Sequence, residues 1–318
     1  MKLALAPIAG FTNAAFRLMA ARGGADLTYT EMVSAAGLSH GSSPTRHLME
    51  MLPGEGPVAC QLFGSKVEEL AFSVREVVSL SRFSEINLNA GCPVPRIVKE
   101  GSGSALVKNP QLVYNLLSAM VSEAGDVPVT LKTRPGPRPD NVLMLELLDA
   151  AEKAGAKGII LHARFTSQNH GGEVHLNLLA DLVSKSKIPV TGNGSVVDAK
   201  TMRLMADTGV QTIMIGRAAL SDPYIFNRLK GVDHIPLKSE KLFLENLDAL
   251  VKLHMQISGN FPKDRLPPLD SWVAGSVRTH LFRYFSGRPG ASEFRRRLMS
   301  LRTIEEILSA VELVASEV

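Results

Sequence analysis

One stretch concentrates residues able to do chemistry: Glu85-Ile-Asn-Leu-Asn-Ala-Gly-Cys-Pro-Val-Pro95. Apolar positions alternate with asparagines as far as Ala90, the pattern of a strand. Gly91 breaks it, and Cys92 stands directly before a proline. Glycine and proline exclude helix at that point, so a strand delivers a thiol into a tight turn and fixes where the sulfur points. A thiol presented that way can serve as a nucleophile or as a proton donor. The plainer alternative is a buried cysteine acting as a small hydrophobe. Cys60, inside an apolar run, reads as core.

Eight short β-like runs must position these residues: 3–7, 27–32, 58–63, 85–89, 127–133, 158–162, 188–191 and 212–215. Most are followed by segments of helical periodicity, such as 142–154 and 198–208. Gly155, Gly209 and the Gly23-Gly24 pair follow such helices, where a C-terminal cap favours glycine. Alternation at this spacing implies a parallel sheet, and eight units within about 220 residues predict a (β/α)8 TIM barrel. A doubly wound open sheet is the alternative, but no GxGxxG turn follows the first strand.

In a barrel the C-terminal strand ends converge on one rim, where active sites are built. Those ends carry Pro7-Ile8-Ala9, Glu31, Gln61, Asn89 with Cys92, Lys132 with Arg134, His162 with Arg164, Asn193-Gly194 and Gly216-Arg217. Singly each has a bland reading: Lys132 as a solvated loop lysine, His162 as a hydrogen-bonded core histidine. The last two pairs follow the seventh and eighth strands, where glycine N–H groups and an arginine hold phosphate in barrels. A phosphate-bearing cofactor is therefore expected. Residues 92–104, with Arg96 and Lys99, read as a mobile loop over the site. Gly101-Ser-Gly103 lacks the strand and lysine of a phosphate loop and reads as a turn. A second irregular segment, 134–139, shares the rim.

The chain has 318 residues, 45% hydrophobic and 21% charged, which suits a globular protein with one large core. No apolar run approaches about 18 residues, so no membrane span is expected. Two cysteines suit a reducing cytoplasm, no metal is expected, and no unexplained apolar face speaks against a monomer. The net charge of +4 is concentrated in residues 271–302, which hold seven arginines against one acid, Glu293. The β/α alternation stops near Pro236, and helical patterns follow over 241–257, 271–285 and 291–301. A capping box, Thr303-Ile-Glu-Glu306, starts the last helix. The expected division is a barrel, 1–235, and an all-helical domain, 236–318. The helical part owns the arginine excess, with Arg278, His280, Arg283, Tyr284 and Arg288 close together, and this favours a nucleic-acid partner.

Several segments together resemble the tRNA-dihydrouridine synthases: Ala6-Pro7-Ile8-Ala9-Gly10-Phe-Thr12, Thr30-Glu31-Met32, Gln61-Leu-Phe-Gly64 and Asn89-Ala-Gly-Cys-Pro93. So do Gly103-Ser-Ala105, Leu131-Lys-Thr-Arg134, His162-Ala-Arg164, Asn193-Gly194 and Ile215-Gly-Arg-Ala218. The resemblance implies an FMN-dependent enzyme that uses NADPH to reduce the C5=C6 bond of particular uridines in tRNA. It places the flavin ring against Pro7, Ile8, Ala9, Gln61, Lys132 and His162, and the flavin phosphate against Asn193, Gly194, Gly216 and Arg217. Cys92 would be the catalytic acid that protonates C5 after hydride reaches C6. Asn89 and Arg164 would lie near the uracil, with Arg96, Lys99, Arg278 and His280 on the RNA.

The sequence departs from that family's pattern at four positions. Asn87 and Ser195 stand where Asp is usual, and His170 and Leu176 where aromatic residues are usual. Two other functions remain open on the residues alone. One is a flavin barrel acting on a small dihydropyrimidine-like molecule, which would not need the basic tail. The other is an RNA-binding protein whose flavin site is vestigial.

Overall fold

In a computed structural model, which describes residues 1–232, 239–279, 281–287 and 290–316, the apolar runs form one parallel sheet. Its strands are β1 (Lys2–Leu5), β2 (Thr28–Tyr29), β3 (Val33–Ser34), β4 (Val58–Phe63), β5 (Glu85–Ala90), β6 (Val129–Thr133), β7 (Ile159–His162), β8 (Val190–Asn193) and β9 (Thr212–Ile215). They run in the order β1-β9-β8-β7-β6-β5-β4-β2, with β3 also on β4. A parallel bridge between Ala4 and Leu27 joins the two ends. The result is a nearly closed (β/α)8 barrel, as the alternation predicts.

Side-chain period explains what the barrel encloses. Leu3, Leu5, Val58, Cys60, Leu62, Ile86, Leu88 and Leu131 point outward into the main apolar core with the surrounding helices. Residues of the other parity point inward, and the apolar ones form a separate small cluster of Ala4, Ala6, Tyr29, Ala59, Ile160 and Met214. The inward positions of β5 are Glu85, Asn87 and Asn89, which accounts for the asparagine alternation. A strand buried on both faces reads as nearly continuous apolar sequence, so these polar inward positions stand out. Cys60 is fully buried, and burial pushes its thiol up to about 12, consistent with core.

Three sequence expectations need correction. The run 27–32 is not one strand but β2 and β3, interrupted at Thr30–Met32. There the Thr30 hydroxyl accepts from the backbone N–H of Gln61 at 3.0 Å, and the Glu31 carboxylate accepts from the N–H of Gly10. The Thr30 hydroxyl takes the place of a ladder acceptor for Gln61, although the Thr30 N–H still donates to the Ala59 carbonyl at 3.0 Å. The 92–104 segment is built rather than open: it holds a short helix, Pro95–Lys99, and enters a 3-10 turn, Gly103–Lys108. The helix expected over 271–285 ends at Thr279, and Leu281–Phe285 continues as 3-10.

The C-terminal helices Ser239–Asn260, Leu269–Thr279, Ala291–Ser300 and Ile304–Ser316 bury Phe243, Leu250, Val277, Phe285 and Phe294 in a core continuous with the barrel's outer layer. The buried Glu50 carboxylate accepts from Asn260 at 2.8 Å and from Gln256, tying the first of these helices to the barrel. Thr303 and Glu306 cap the last helix reciprocally, at 3.2 and 3.1 Å. The domain boundary expected between 235 and 236 lies outside the described residues. Among the described residues no helix is long and apolar enough to cross a membrane, and no cluster of three or more His, Cys, Asp or Glu could hold a metal.

Candidate active site

The thiol loop is held from several directions. Asn89 Oδ1 accepts from the backbone N–H groups of Gly91 and Cys92 at 3.1 and 3.0 Å, turning the chain as β5 ends. Arg134, 1% exposed, donates from Nε to the Gly91 carbonyl at 2.6 Å. The same guanidinium donates from one terminal nitrogen to the carbonyls of Arg164 and Phe165, at 3.3 and 3.1 Å. It therefore clamps the loop after β5 to the loop after β7. Ser104 N–H donates to the Cys92 carbonyl at 2.9 Å. Gly103 (φ +60°) makes that approach possible, because a Cβ there would lie 2.7 Å from the Cys92 oxygen. Burial pushes the Cys92 thiol up, against a backbone bond to Val94 and the charges of Arg134 and Lys132. It is a neutral thiol at rest, suited to giving a proton rather than to attacking.

Beside this loop the mouth is strongly cationic. Lys132 donates to Asn193 Oδ1 at 3.1 Å, and Asn193 Nδ2 donates to the Met214 carbonyl at 2.8 Å, so β6, β8 and β9 are linked at the rim. Desolvation, then the charge of Arg134, pushes Lys132 down to about 7. His162 is driven far below the usual histidine range by burial and by Lys132, Arg134 and Arg164, so its imidazole is neutral. Arg164 donates to the Gly172 carbonyl at 2.9 Å and to Ser195 Oγ at 2.6 Å. Arg217 donates to the His170 carbonyl at 2.8 Å. Among the described residues no carboxylate pairs with Lys132, Arg134, Arg164 or Arg217. Three arginines and a partly protonated lysine left uncompensated at one rim are costly unless an anion joins them. Gly194 leaves room beside them, since a Cβ there would press on Val174 at 3.2 Å and His162 at 3.5 Å. This donor set fits an anionic cofactor with a phosphate.

On the opposite wall, Ile8 N–H donates to Thr12 Oγ1 at 3.1 Å, and Gly10 is tied to Glu31, which shapes the Pro7–Gly10 turn. Gln61 sits inside the barrel, fully buried, bonded to Asn87 and Asn89. From the helical part, Arg283 reaches this wall: its guanidinium carbon lies 5.4 Å from the ring centroids of both Phe11 and Phe282. Arg295 stacks on the Phe282 ring as well, at 4.3 Å. The basic surface thus begins at the barrel mouth.

A family model described as dihydrouridine synthase matches residues 4–317 of this sequence. The chain belongs to the dihydrouridine synthase family. A Treponema pallidum protein described as a probable tRNA-dihydrouridine synthase is 34% identical, over 71% of this chain and 69% of its own length. Pseudomonas putida tRNA-dihydrouridine synthase B is 31% identical, over 99% of this chain and 91% of its own. Among solved structures, the old yellow enzyme homologue from Zymomonas mobilis superposes with a TM-score of 0.53 at 11% identity, covering 74% of this chain and 90% of that one. Morphinone reductase does so at 0.52 and 12%, covering 76% and 88%. At such identity the likeness is one of fold.

Within this family member, Pro7, Ile8, Ala9, Gln61, Asn89, Cys92, Lys132, His162, Arg164, Asn193, Gly194, Gly216 and Arg217 all lie at or just inside the C-terminal mouth. Arg96 and Lys99 are exposed on the helix Pro95–Lys99, where Arg96 pairs with Glu100 at 3.5 Å. Arg278 is half-buried near the end of Leu269–Thr279, and His280 lies outside the described residues. Sequence reasoning placed Arg134 and Arg283 on the rim and in the tail but assigned neither a role. Arg134 follows Lys132 at the same parity, which was a usable signal, whereas Arg283 is one arginine among seven. Of the four departures, Asn87 joins the interior polar chain and His170 lies over His162 at 6.1 Å. Ser195 (φ +52°) accepts from Arg164, and Leu176 starts the helix Leu176–Lys185.

Proposed function

We propose that this chain reduces the C5=C6 bond of uridines in tRNA to give 5,6-dihydrouridine, using FMN as cofactor and NADPH as reductant. The observation that carries the reading is the neutral Cys92 thiol, clamped at the end of β5 beside basic residues that, among the described residues, pair with no carboxylate, in a dihydrouridine synthase. The flavin, when bound, supplies the hydride that adds to uracil C6. Cys92 supplies the proton to C5 and recovers it from solvent, so hydride plus proton accounts for both hydrogens added. Lys132 and His162, with Pro7, Ile8, Ala9 and Gln61, would hold the flavin ring, the first two offering charge and hydrogen bonds to its anionic reduced form. Asn193, Gly194, Gly216 and Arg217 hold the phosphate.

Arg164 orients the uracil while charge gathers at its C4 carbonyl, and Asn89, its amide committed to the thiol loop, Gln61 and Met32, holds the wall beside it. A base inside folded RNA must leave its stack to reach this mouth, at a cost of a few kcal/mol. Arg278, His280, Arg283 and the exposed Arg295, Arg296 and Arg297, with Arg96 and Lys99, hold the RNA backbone during that step. The free thiols fit action in the cytoplasm, and the protein works as a monomer with a barrel, 1–235, and a helical tRNA-binding domain, 236–318.

The deciding experiment is Cys92→Ala. Dihydrouridine formation on tRNA is expected to be lost while flavin content and tRNA affinity stay at wild-type levels. Undiminished product from the variant would remove Cys92 as the acid. A wild-type protein that ignores tRNA but reduces a free pyrimidine would replace the tRNA reading with the small-molecule one.

A further inference from the structure

A chain of hydrogen bonds runs down the inside of the barrel from the thiol loop, and every link points the same way. The N–H groups of Gly91 and Cys92 donate to Asn89 Oδ1 at 3.1 and 3.0 Å. Asn89 Nδ2 donates to Gln61 Oε1 at 2.9 Å, and Gln61 Nε2 to Asn87 Oδ1 at 2.7 Å. Asn87 Nδ2 donates to Thr130 Oγ1 at 2.7 Å, and Thr130 Oγ1 to Glu85 Oε1 at 2.6 Å. Tyr29 OH donates to the same carboxyl oxygen at 2.7 Å. Gln61 and Asn87 are fully buried, and Glu85 borders a cavity of about 310 Å³ at the far end of the barrel.

An amide can present oxygen or nitrogen in either direction, so three amides in a row have a shared orientation that something must set. Here both ends of the chain set it. A backbone N–H can only donate, so Asn89 must turn its oxygen to the thiol loop. Glu85 Oε1 accepts two hydroxyls, and this commits the Thr130 hydrogen and turns its lone pair to Asn87. Were Asn87 to flip, Gln61 and then Asn89 would have to follow, leaving an amide NH₂ facing two N–H donors. That loss at a buried site is severe.

We propose that Asn87, oriented by Thr130 and Glu85, is a positioning residue that fixes the amide polarity of Gln61 and Asn89 and so pins the Cys92 loop for proton transfer. The proposal rests on the reading of Cys92 as proton donor, but one of its tests does not. Asn87→Leu keeps the branched outline, with two bulkier methyl groups in place of the amide, and removes the relay. Asn87→Asp keeps the volume, and its carboxylate still accepts from Gln61, so the polarity above it survives. Two measurements follow on flavin-loaded protein. The first is the rate of Cys92 alkylation by iodoacetamide, which the fully buried Cys60 does not confuse. The second is kcat and KM with tRNA.

Asn87→Leu is expected to alkylate several-fold faster and to lose kcat by roughly 10- to 100-fold at unchanged KM for tRNA, since misplacement of a reacting group by about 1 Å costs on that order. Asn87→Asp is expected to restore both. A general loss of packing would instead lower flavin content and melting temperature without a split between kcat and KM. Wild-type alkylation and kcat in Asn87→Leu, or the same defect in both variants, overturns the proposal. If Asn87→Leu does not fold, Thr130→Val removes the same link in a near-isosteric side chain, and wild-type behaviour there overturns it equally. Failure of wild-type protein to act on tRNA would count against the proposed function alone, because the alkylation measurement still decides the positioning role.

Discussion

The proposed contact of Lys132 with the cofactor predicts an affinity that depends on pH. Its side chain ends at the mouth with one hydrogen-bond acceptor, Asn193 Oδ1, and the Arg134 guanidinium nearby, and it is pushed down from 10.5 to about 7. A base whose folded value is depressed binds fewer protons folded than unfolded between those two values. The flavin-free protein therefore gains stability as pH rises from about 7 to about 10.5. At about 1.4 kcal/mol per unit the upper bound is roughly 5 kcal/mol, and solvent access to the half-buried side chain reduces it to about half. An anion bound beside Nζ reverses the preference and restores the ammonium. FMN binding should then take up about 0.9 proton at pH 8, and Kd should rise toward tenfold per pH unit above about 7. Calorimetric titration of flavin-stripped protein between pH 7 and 9, in buffers of differing ionisation enthalpy, measures both quantities. Lys132→Met should abolish the slope, weaken FMN binding and raise the melting temperature of the flavin-free protein at pH 7. A Kd constant across that range, or a slope surviving in Lys132→Met, would refute the reasoning.

Other predictions concern the loop and the tail. Arg134→Met leaves the Gly91 and Arg164 carbonyls without a donor, while the Phe165 carbonyl keeps the Gln168 N–H at 3.1 Å; at about 1–3 kcal/mol for each buried group, less than additively, it should lower the urea midpoint clearly. An unchanged midpoint would mean that the clamp does not bind the two loops together. In Gly103→Ala the added Cβ meets the Cys92 carbonyl at 2.7 Å in a left-handed backbone that itself costs about 1 kcal/mol. Reduced kcat at full flavin content is expected, and wild-type turnover would show that the loop is indifferent to that approach. Replacing Arg295, Arg296 and Arg297 together by Ala should weaken tRNA binding and flatten its salt dependence, by about one unit of log–log slope for each phosphate no longer neutralised. Identical slopes would place the RNA elsewhere.

Much of the architecture was legible in the sequence because it depends on local order. Parallel strands buried on both faces must read as short apolar runs, and the helices between them carry their own periodicity and caps, so the (β/α)8 barrel followed from spacing. The mouth residues were legible for the same reason, since any residue at the C-terminal end of a barrel strand reaches that rim. The break of the second strand was not, because it depends on Thr30 and Glu31 bonding to Gln61 and Gly10, partners 31 and 21 positions away.

Nor could spacing reveal that Arg134 joins two loops, that Arg283 reaches Phe11, or that the asparagines of β5 belong to one directed chain with Gln61, Thr130 and Glu85. The sequence by itself determined the strand and helix pattern, the thiol in its Gly/Pro turn and the location of the positive charge. Only the tertiary structure decided which donors meet which acceptors. Hydrogen-bond direction and charge compensation depend on distances of about 3 Å between strands far apart in the chain, which no local pattern encodes.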